Sequence, residues 1–238
     1  MRLGVIGGLG PIATAYFMEL VIKMTDAHCD QEHLEMVIYN CPSIPDRTDY
    51  ILGKGKDNPV TQIVNIGKKL EKQEVDYIAI PCITSYYFHE ILTKKIKVPI
   101  IHILKETALH LKENGIKKVG ITATDGTITS KIFQKELTAL GIDFVLPSKN
   151  AQQDIMDLIY KNVKAGLPVE IDKFLKVSQE LRENGAEVII LGCTELSLIK
   201  RDYLIGAGYL DALEVLAKAS ILLCQGLLKS QYKYLITR

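Results

Sequence analysis

Short apolar runs alternate along this chain with stretches of helical period. Residues 3–6, 34–40, 76–84, 98–102, 118–122, 142–145 and 187–195 read as strands, most of them nearly continuous in hydrophobicity. That pattern marks strands of a parallel sheet covered on both faces. Between them, 13–25, 58–71, 85–95, 105–114, 152–164, 169–184 and 211–228 repeat apolar residues at helical spacing. Pro11 suits the first turn of a helix and Gly115 the position just past the end of one. Strands alternating with helices predict an α/β protein built from doubly wound parallel sheets.

The layout then recurs. Lys118-Val119-Gly120-Ile121 and the following Ala123-Thr124-Asp125-Gly126-Thr127 repeat the arrangement of residues 3–10, Gly4 matching Gly120 and Gly10 matching Gly126. Asp76-Tyr-Ile-Ala-Ile-Pro-Cys82-Ile-Thr84 likewise returns as Glu187-Val-Ile-Ile-Leu-Gly-Cys193-Thr-Glu195 at nearly the same spacing. Two strand-to-loop signals at one period predict two similar α/β halves related by a pseudo-two-fold axis. Residues 1–97 with 206–238 form the half carrying Cys82, and residues 98–205 form the half carrying Cys193. Ligands of open α/β sheets bind outside the carboxyl ends of strands. The two thiols are therefore expected to face each other across one cleft between the halves, with sulfurs on the order of 7 Å apart about a shared carbon.

Composition narrows the function classes. The 238 residues are 47% hydrophobic and 24% charged, with a formal charge of +1. Such a balance gives no electrostatic reason to expect nucleic acid or an anionic membrane as partner. No apolar run approaches the ~20 residues that cross a bilayer, and Met1-Arg2 leads into a run too short for a signal core. Five cysteines without Cys-x-x-Cys pairs argue against a disulfide framework, and no Cys/His cluster has zinc spacing. A cytoplasmic protein with reduced thiols and no metal is expected.

The glycine loop Gly7-Gly8-Leu9-Gly10-Pro11 has two readings. Gly8-x-Gly10-x-x-Ala13 is a degenerate dinucleotide fingerprint, but the acidic residue that should end the next strand is Asn40. A loop whose amides hold a carboxylate at a helix N-terminus fits better. Free cysteines are often plain core residues. Cys82 and Cys193 stand apart because they are placed alike, each ahead of a predicted helix whose N-terminal field favours a thiolate. Cys29, Cys41 and Cys224 lack this setting and read as structural. His28, His33, His89 and His110 read as surface residues, and His102, ending a predicted strand, as a candidate to face the cleft.

At these residues the chain resembles the cofactor-independent aspartate/glutamate racemases, nearly end to end. The resemblance rests on Gly7-Gly8-Leu9-Gly10-Pro11, Ile44-Pro45-Asp46-Arg47-Thr48, Pro81-Cys82-Ile83-Thr84 and Ala123-Thr124-Asp125-Gly126-Thr127. It continues through Ile159-Tyr160, Lys164-Ala165-Gly166 and Leu191-Gly192-Cys193-Thr194-Glu195. The Gly-Cys-Thr-Glu ending separates it from dedicated glutamate racemases, which carry His-Tyr-Pro after Gly-Cys-Thr. The family's Pro-Cys-Asn-Thr has Ile83 in place of Asn, which bears on substrate preference more than on reaction type.

The resemblance implies PLP-independent racemisation of aspartate or glutamate, with no cofactor, by a homodimer. Cys82 and Cys193 are the implied catalytic pair, Cys82 serving the D face and Cys193 the L face. Gly8, Leu9, Gly10, Ile83, Thr84, Thr194 and Glu195 are the implied substrate surroundings, with Arg47, Thr127 and Lys164 binding carboxylates. A bidentate Arg47 and a point-charge Lys164 suit a dicarboxylic amino acid. Read without the resemblance, Lys164 is an ordinary solvated lysine. Two rivals remain: another cysteine-pair isomerase, such as a maleate isomerase or hydantoin racemase, and a non-catalytic amino-acid-binding protein.

Overall fold

The computed structural model describes residues 1–237. The chain forms two compact units, one of Met1–Ile103 with Leu213–Tyr234, the other of Leu104–Ala212 with residues 235–237. In the first, β1 (Arg2–Gly7), α1 (Pro11–Met24), β2 (Glu35–Asn40), α2 (Arg47–Ile51), α3 (Pro59–Glu71), β3 (Tyr77–Ala79) and α4 (His89–Lys95) follow in order. The second begins with α5 (Ile103–Glu113), β4 (Lys118–Thr122), α6 (Asp125–Thr129), α7 (Ile132–Ala139) and β5 (Asp143–Val145). It continues with α8 (Lys149–Asp157), α9 (Ile171–Glu183), β6 (Val188–Leu191), α10 (Thr194–Asp202) and β7 (Tyr209–Asp211), and α11 (Ala212–Leu223) returns to the first.

Each unit holds its own parallel sheet. The first has the order β2-β1-β3, the second β5-β4-β6-β7. In both, the first strand is central, its sequence neighbour lies on one side and the third strand on the other. The registers correspond as well. Gly4 on β1 is opposite Ile78 on β3, and Gly120 on β4 is opposite Ile189 on β6. Cys82 and Cys193 each come four residues after that partner.

The two glycines are matched for a packing reason. A Cβ at Gly4 would lie 3.1 Å from a Leu70 methyl and 2.9 Å from Val75, and one at Gly120 would lie 3.0 Å from Leu181. In each unit a leucine from a helix (α3 or α9) presses onto the central strand where no side chain stands. Interiors packed at crystal-like density leave no room for the extra atom.

Helix starts follow local chemistry. Asn58 accepts from Val60 N–H ahead of Pro59, and Thr124 accepts from Thr127 N–H. The central strands β1 and β6 are buried along nearly their whole length, as their apolar runs require.

Several expectations are corrected. Residues 98–102 make no strand; a single parallel bridge joins Ile100 to Ile78, through Ile78 N–H to Pro99 O and Ile101 N–H to Ile78 O, both 2.9 Å. Pro99 has no N–H and α5 starts at Ile103, so pairing ends there. Because it pairs with β3, this segment lies in the first unit, not the second. Conversely, residues 206–212, expected in the first half, belong to the second unit, where Tyr209–Asp211 is β7 and extends the second sheet beside β6; only Asp211 of these three was expected in the last helix. Thr237 ties the chain end to it, exchanging backbone bonds of 2.9 Å with Gly208 and Tyr209. The expected helix at 85–95 is a 3-10 turn, Ile83–Phe88, running into α4. His110 is buried rather than on the surface, accepting from Leu235 N–H at 3.3 Å.

Candidate active site

In a sheet of order β2-β1-β3 the chain leaves the central strand in one direction for β2 and arrives at β3 on the other side. The carboxyl ends of β1 and β3 therefore flank a topological switch point, and those of β4 and β6 flank the equivalent point of the second sheet. The glycine loop leaves β1 and Cys82 follows β3; the loop of Thr124 to Thr127 leaves β4 and Cys193 follows β6. Both thiols are thus placed by topology where open α/β sheets bind ligands.

In the first unit, the glycine loop is held by Thr14 on α1. Gly8 N–H donates to Thr14 Oγ1 at 2.9 Å, and the same hydroxyl donates to Gly10 O at 3.0 Å. The Gly8 amide, expected to face a carboxylate, is therefore spent inside the loop. Gly8 has φ +91°, and a Cβ there would lie 2.3 Å from the backbone N of Cys41. Asn40 closes the strand opposite Gly7, where a dinucleotide site would place its acid. Arg47, at the start of α2, is 6% exposed, and its guanidinium donates to Leu9 O (2.8 Å), Pro45 O (2.9 Å) and Ile44 O (3.2 Å). It binds the glycine loop to the loop after β2 and holds a permanent positive charge at this end of the sheet. Cys82 is buried in extended conformation ahead of the 3-10 turn, its carbonyl accepting from Ser85 N–H at 3.2 Å. Ile83 and Thr84 are buried beside it.

His102 packs into an aromatic cluster, its ring centroid 4.3 Å from that of His89 and 5.5 Å from that of Tyr86. The Tyr86 hydroxyl donates to Ile101 O at 2.6 Å, and burial pushes its titration upward.

In the second unit, Gly192 is needed for close approach. Its N–H donates to Thr122 O at 2.7 Å, and a Cβ would lie 2.9 Å from that oxygen. Cys193 follows as the N-cap of α10 and belongs to the apolar core cluster of Ile155, Phe174, Leu181, Ile189 and Leu196. Its Sγ–H donates to Glu195 Oε2 at 2.9 Å, and the Thr194 hydroxyl donates to the same oxygen at 3.2 Å. Thr127 is fully buried, with its amide on Thr124 Oγ1 at 3.3 Å and its hydroxyl 3.2 Å from that of Thr124. Lys164 closes a π-helical turn, Leu158–Val163, its N–H reaching Ile159 O at 2.9 Å. Such turns recur at functional sites. The Lys164 ammonium is exposed, 4.1 Å above the Tyr160 ring.

The expectation that a helix N-terminus favours a thiolate is overturned at Cys193. Burial raises this thiol's pKa well above the ordinary range, the adjacent Glu195 carboxylate raises it further, and Lys164 opposes both. Desolvation and a negative neighbour at 2.9 Å outweigh the field of one helix end.

The first unit thus gathers Gly8, Leu9, Gly10, Arg47, Cys82, Ile83 and Thr84 at the carboxyl end of its sheet. The second gathers Thr127, Lys164, Cys193, Thr194 and Glu195. Sequence reading missed Thr14, which orders the glycine loop, and Gln152, whose Nε2 donates to Ala123 O (3.0 Å) and Asp125 Oδ1 (2.8 Å) to hold the loop after β4. Thr14 lies one helical turn from Gly10, a spacing that signals such a bond; Gln152 carries no comparable signal. Among the described residues no group of three or more His, Cys, Asp or Glu side chains is arranged to hold a metal ion. Among the described residues, too, no helix is long and apolar enough to cross a membrane.

Two like parallel sheets, each with a buried cysteine in the loop that follows its third strand, define the class of α/β protein to which this fold and site belong. The profile of the Asp/Glu/hydantoin racemase family matches residues 6–219, and the chain belongs to that family. The broad specificity amino-acid racemase RacX of Bacillus subtilis is 29% identical over 92% of this chain and 96% of its own. The Picrophilus torridus aspartate racemase is 31% identical and superposes with a TM-score of 0.84 over 98% of each chain. A glutamate racemase of Limosilactobacillus reuteri is 27% identical over 63% of this chain and 55% of its own.

Proposed function

We propose that this chain, an isomerase of the racemase family, racemises an acidic amino acid, aspartate or glutamate, without a cofactor, through proton transfer at Cα by Cys82 and Cys193. The observation that carries the reading is the equivalent placement of two buried thiols, each four residues beyond the strand partner of a matched glycine. Racemisation needs a proton removed from one face of Cα and another delivered to the opposite face. A thiolate takes the first while a thiol gives the second, and the roles exchange for the other enantiomer.

The remaining residues serve as binding groups in this scheme. Arg47 supplies a fixed guanidinium and Lys164 a movable ammonium for the two carboxylates. The hydroxyls of Thr84 and Thr127 and the backbone amide of Thr194 stabilise charge developing on the α-carboxylate where water is scarce. Action as a homodimer in the cytoplasm, with reduced thiols, belongs to the same proposal.

A second reading concerns breadth. Ile83, only 2% exposed, offers hydrocarbon where the family pattern has an amide, and RacX is named for broad specificity. An apolar wall beside Cys82 favours acceptance of neutral side chains as well as acidic ones.

Incubation in D2O with single enantiomers of aspartate, glutamate and a neutral amino acid, followed by NMR, tests both readings. Deuterium should enter Cα of aspartate or glutamate, and the enantiomer formed should carry it. Cys82→Ser and Cys193→Ser should each lower the racemisation rate by at least about 10²-fold. A single mutant with full activity refutes the two-base scheme. Resonance shifts without exchange indicate a binding protein, and isomerisation of maleate or a hydantoin instead indicates the rival isomerases.

A further inference from the structure

Glu195 stands in an unusual setting for a carboxylate. It is 4% exposed, and the groups on its Oε2 are a thiol and a hydroxyl, Cys193 Sγ at 2.9 Å and Thr194 Oγ1 at 3.2 Å. A buried carboxylate is costly unless its protons and partners are arranged for it. Three consecutive residues at the start of α10 here build one such arrangement around a sulfur that is itself buried in the apolar core. Two adjacent acidic groups in such surroundings hold one proton between them more readily than they both ionise.

We propose that Glu195 is the positioning residue for proton transfer at Cys193, accepting the thiol hydrogen bond and keeping the exchangeable proton on that sulfur in the substrate-free protein. For turnover this rests on the racemase reading; the sharing of the proton does not. In the catalytic direction that starts from this state, the Cys193 S–H bond breaks and its proton passes to Cα, leaving a thiolate beside Glu195. That thiolate, destabilised by its neighbour, is a strong base for taking a Cα proton in the reverse direction. Glu195 thereby decides which thiol starts as donor, leaving abstraction from the other face to Cys82.

The charged surroundings are few. α10 packs on β6, which has no titratable side chain, and on the π-turn, which carries Tyr160 and Lys161. Lys161 pairs with Asp157 at 3.0 Å, and Lys164 at the end of the turn is the cation acting on Cys193; α10 itself carries Lys200 and Arg201, the latter paired with Asp202 at 2.6 Å, and its Ser197 donates at 2.7 Å to the buried Asp211 of β7.

The test measures iodoacetamide alkylation of each cysteine against pH in the full-length protein, resolved by peptide mass. In Glu195→Gln, Cys193 should alkylate about tenfold faster or more at neutral pH, with its midpoint at least about one unit lower, while the Cys82 profile stays unchanged. The pH profile of kcat/KM for racemisation should move the same way, with a loss of about tenfold at its maximum. Should Glu195→Gln not fold, Glu195→Asp, which withdraws the carboxylate by one methylene, should show a smaller shift in the same direction. A Cys193 profile identical to the parent protein's in the folded variant overturns the proposal. The expected alkylation shift in a protein that exchanges no Cα deuterium would instead remove the racemase reading and leave the shared proton standing.

Discussion

Gly8 shows how much can rest on one missing side chain. Its φ of +91° is a region that residues with a Cβ avoid, and the space a Cβ needs is filled by the backbone of Cys41. Strain at such a position costs of order 1–3 kcal/mol, and here displacement of the Cys41 segment adds to it. Gly8→Ala should therefore lose at least about 2 kcal/mol of stability, lowering Tm by roughly 4 °C or more for a chain of this size. Scanning calorimetry beside the parent protein measures it. Arg47 is bound to the same loop through Leu9 O, so under the proposed carboxylate-binding role displacement there should also raise KM.

At the residue scale much of the candidate site was legible. Cys82 and Cys193 stood out because each ends an apolar run at equivalent places. The thiol environment was not legible: whether Glu195 turns back onto Cys193 depends on side-chain direction at a helix cap, which spacing does not encode.

Among the elements, α1 begins with Pro11, and its first turn holds the glycine loop through Thr14. That hydroxyl accepts from Gly8 N–H and donates to Gly10 O. Thr14→Val keeps the shape and removes both bonds, leaving a buried amide without a partner at a cost of about 1–3 kcal/mol. Urea unfolding should show that loss, and Thr14→Ser, which keeps the hydroxyl, should restore most of it.

Strands with continuous apolar sequence (β1, β4, β6) were readable because burial on both faces leaves no other composition. β7 was not, since three residues ending in Asp211 resemble the start of the helix that follows. The expected strand at 98–102 had the composition, but Pro99 and the nearby start of α5 leave it one bridge. The π-turn before Lys164 escaped because its pattern departs from helical period by one residue, too little for periodicity to register. The burial of His110 depends on Leu235, far away in sequence, which no local signal reports.

For the molecule as a whole, buried acids set the response to alkali. Burial pushes the Cys224 thiol up to about 11, and raises Cys193 and Tyr86 as well. An acid with a raised folded-state pKa favours the folded state fully below its unfolded value, and this stability is lost as pH rises through the folded value. For Cys224 the loss begins near pH 9 and runs through about 11. Denaturant unfolding at pH 8, 9.5 and 11 should show stability falling, each group adding at most about 1.4 kcal/mol per pH unit. Cys224→Ala should flatten its share of the slope, and a pH-independent midpoint would contradict the assignment.

The common strand order of the two sheets has one more implication. Each sulfur is placed by its own run of strand, loop and helix, so its immediate neighbours can change without disturbing the other half's backbone. Ile83-Thr84 follows one cysteine and Thr194-Glu195 the other. The repeated framework thus carries an apolar residue beside one cysteine and an acidic one beside the other, so the two halves agree in strand order and differ in chemistry at their tips.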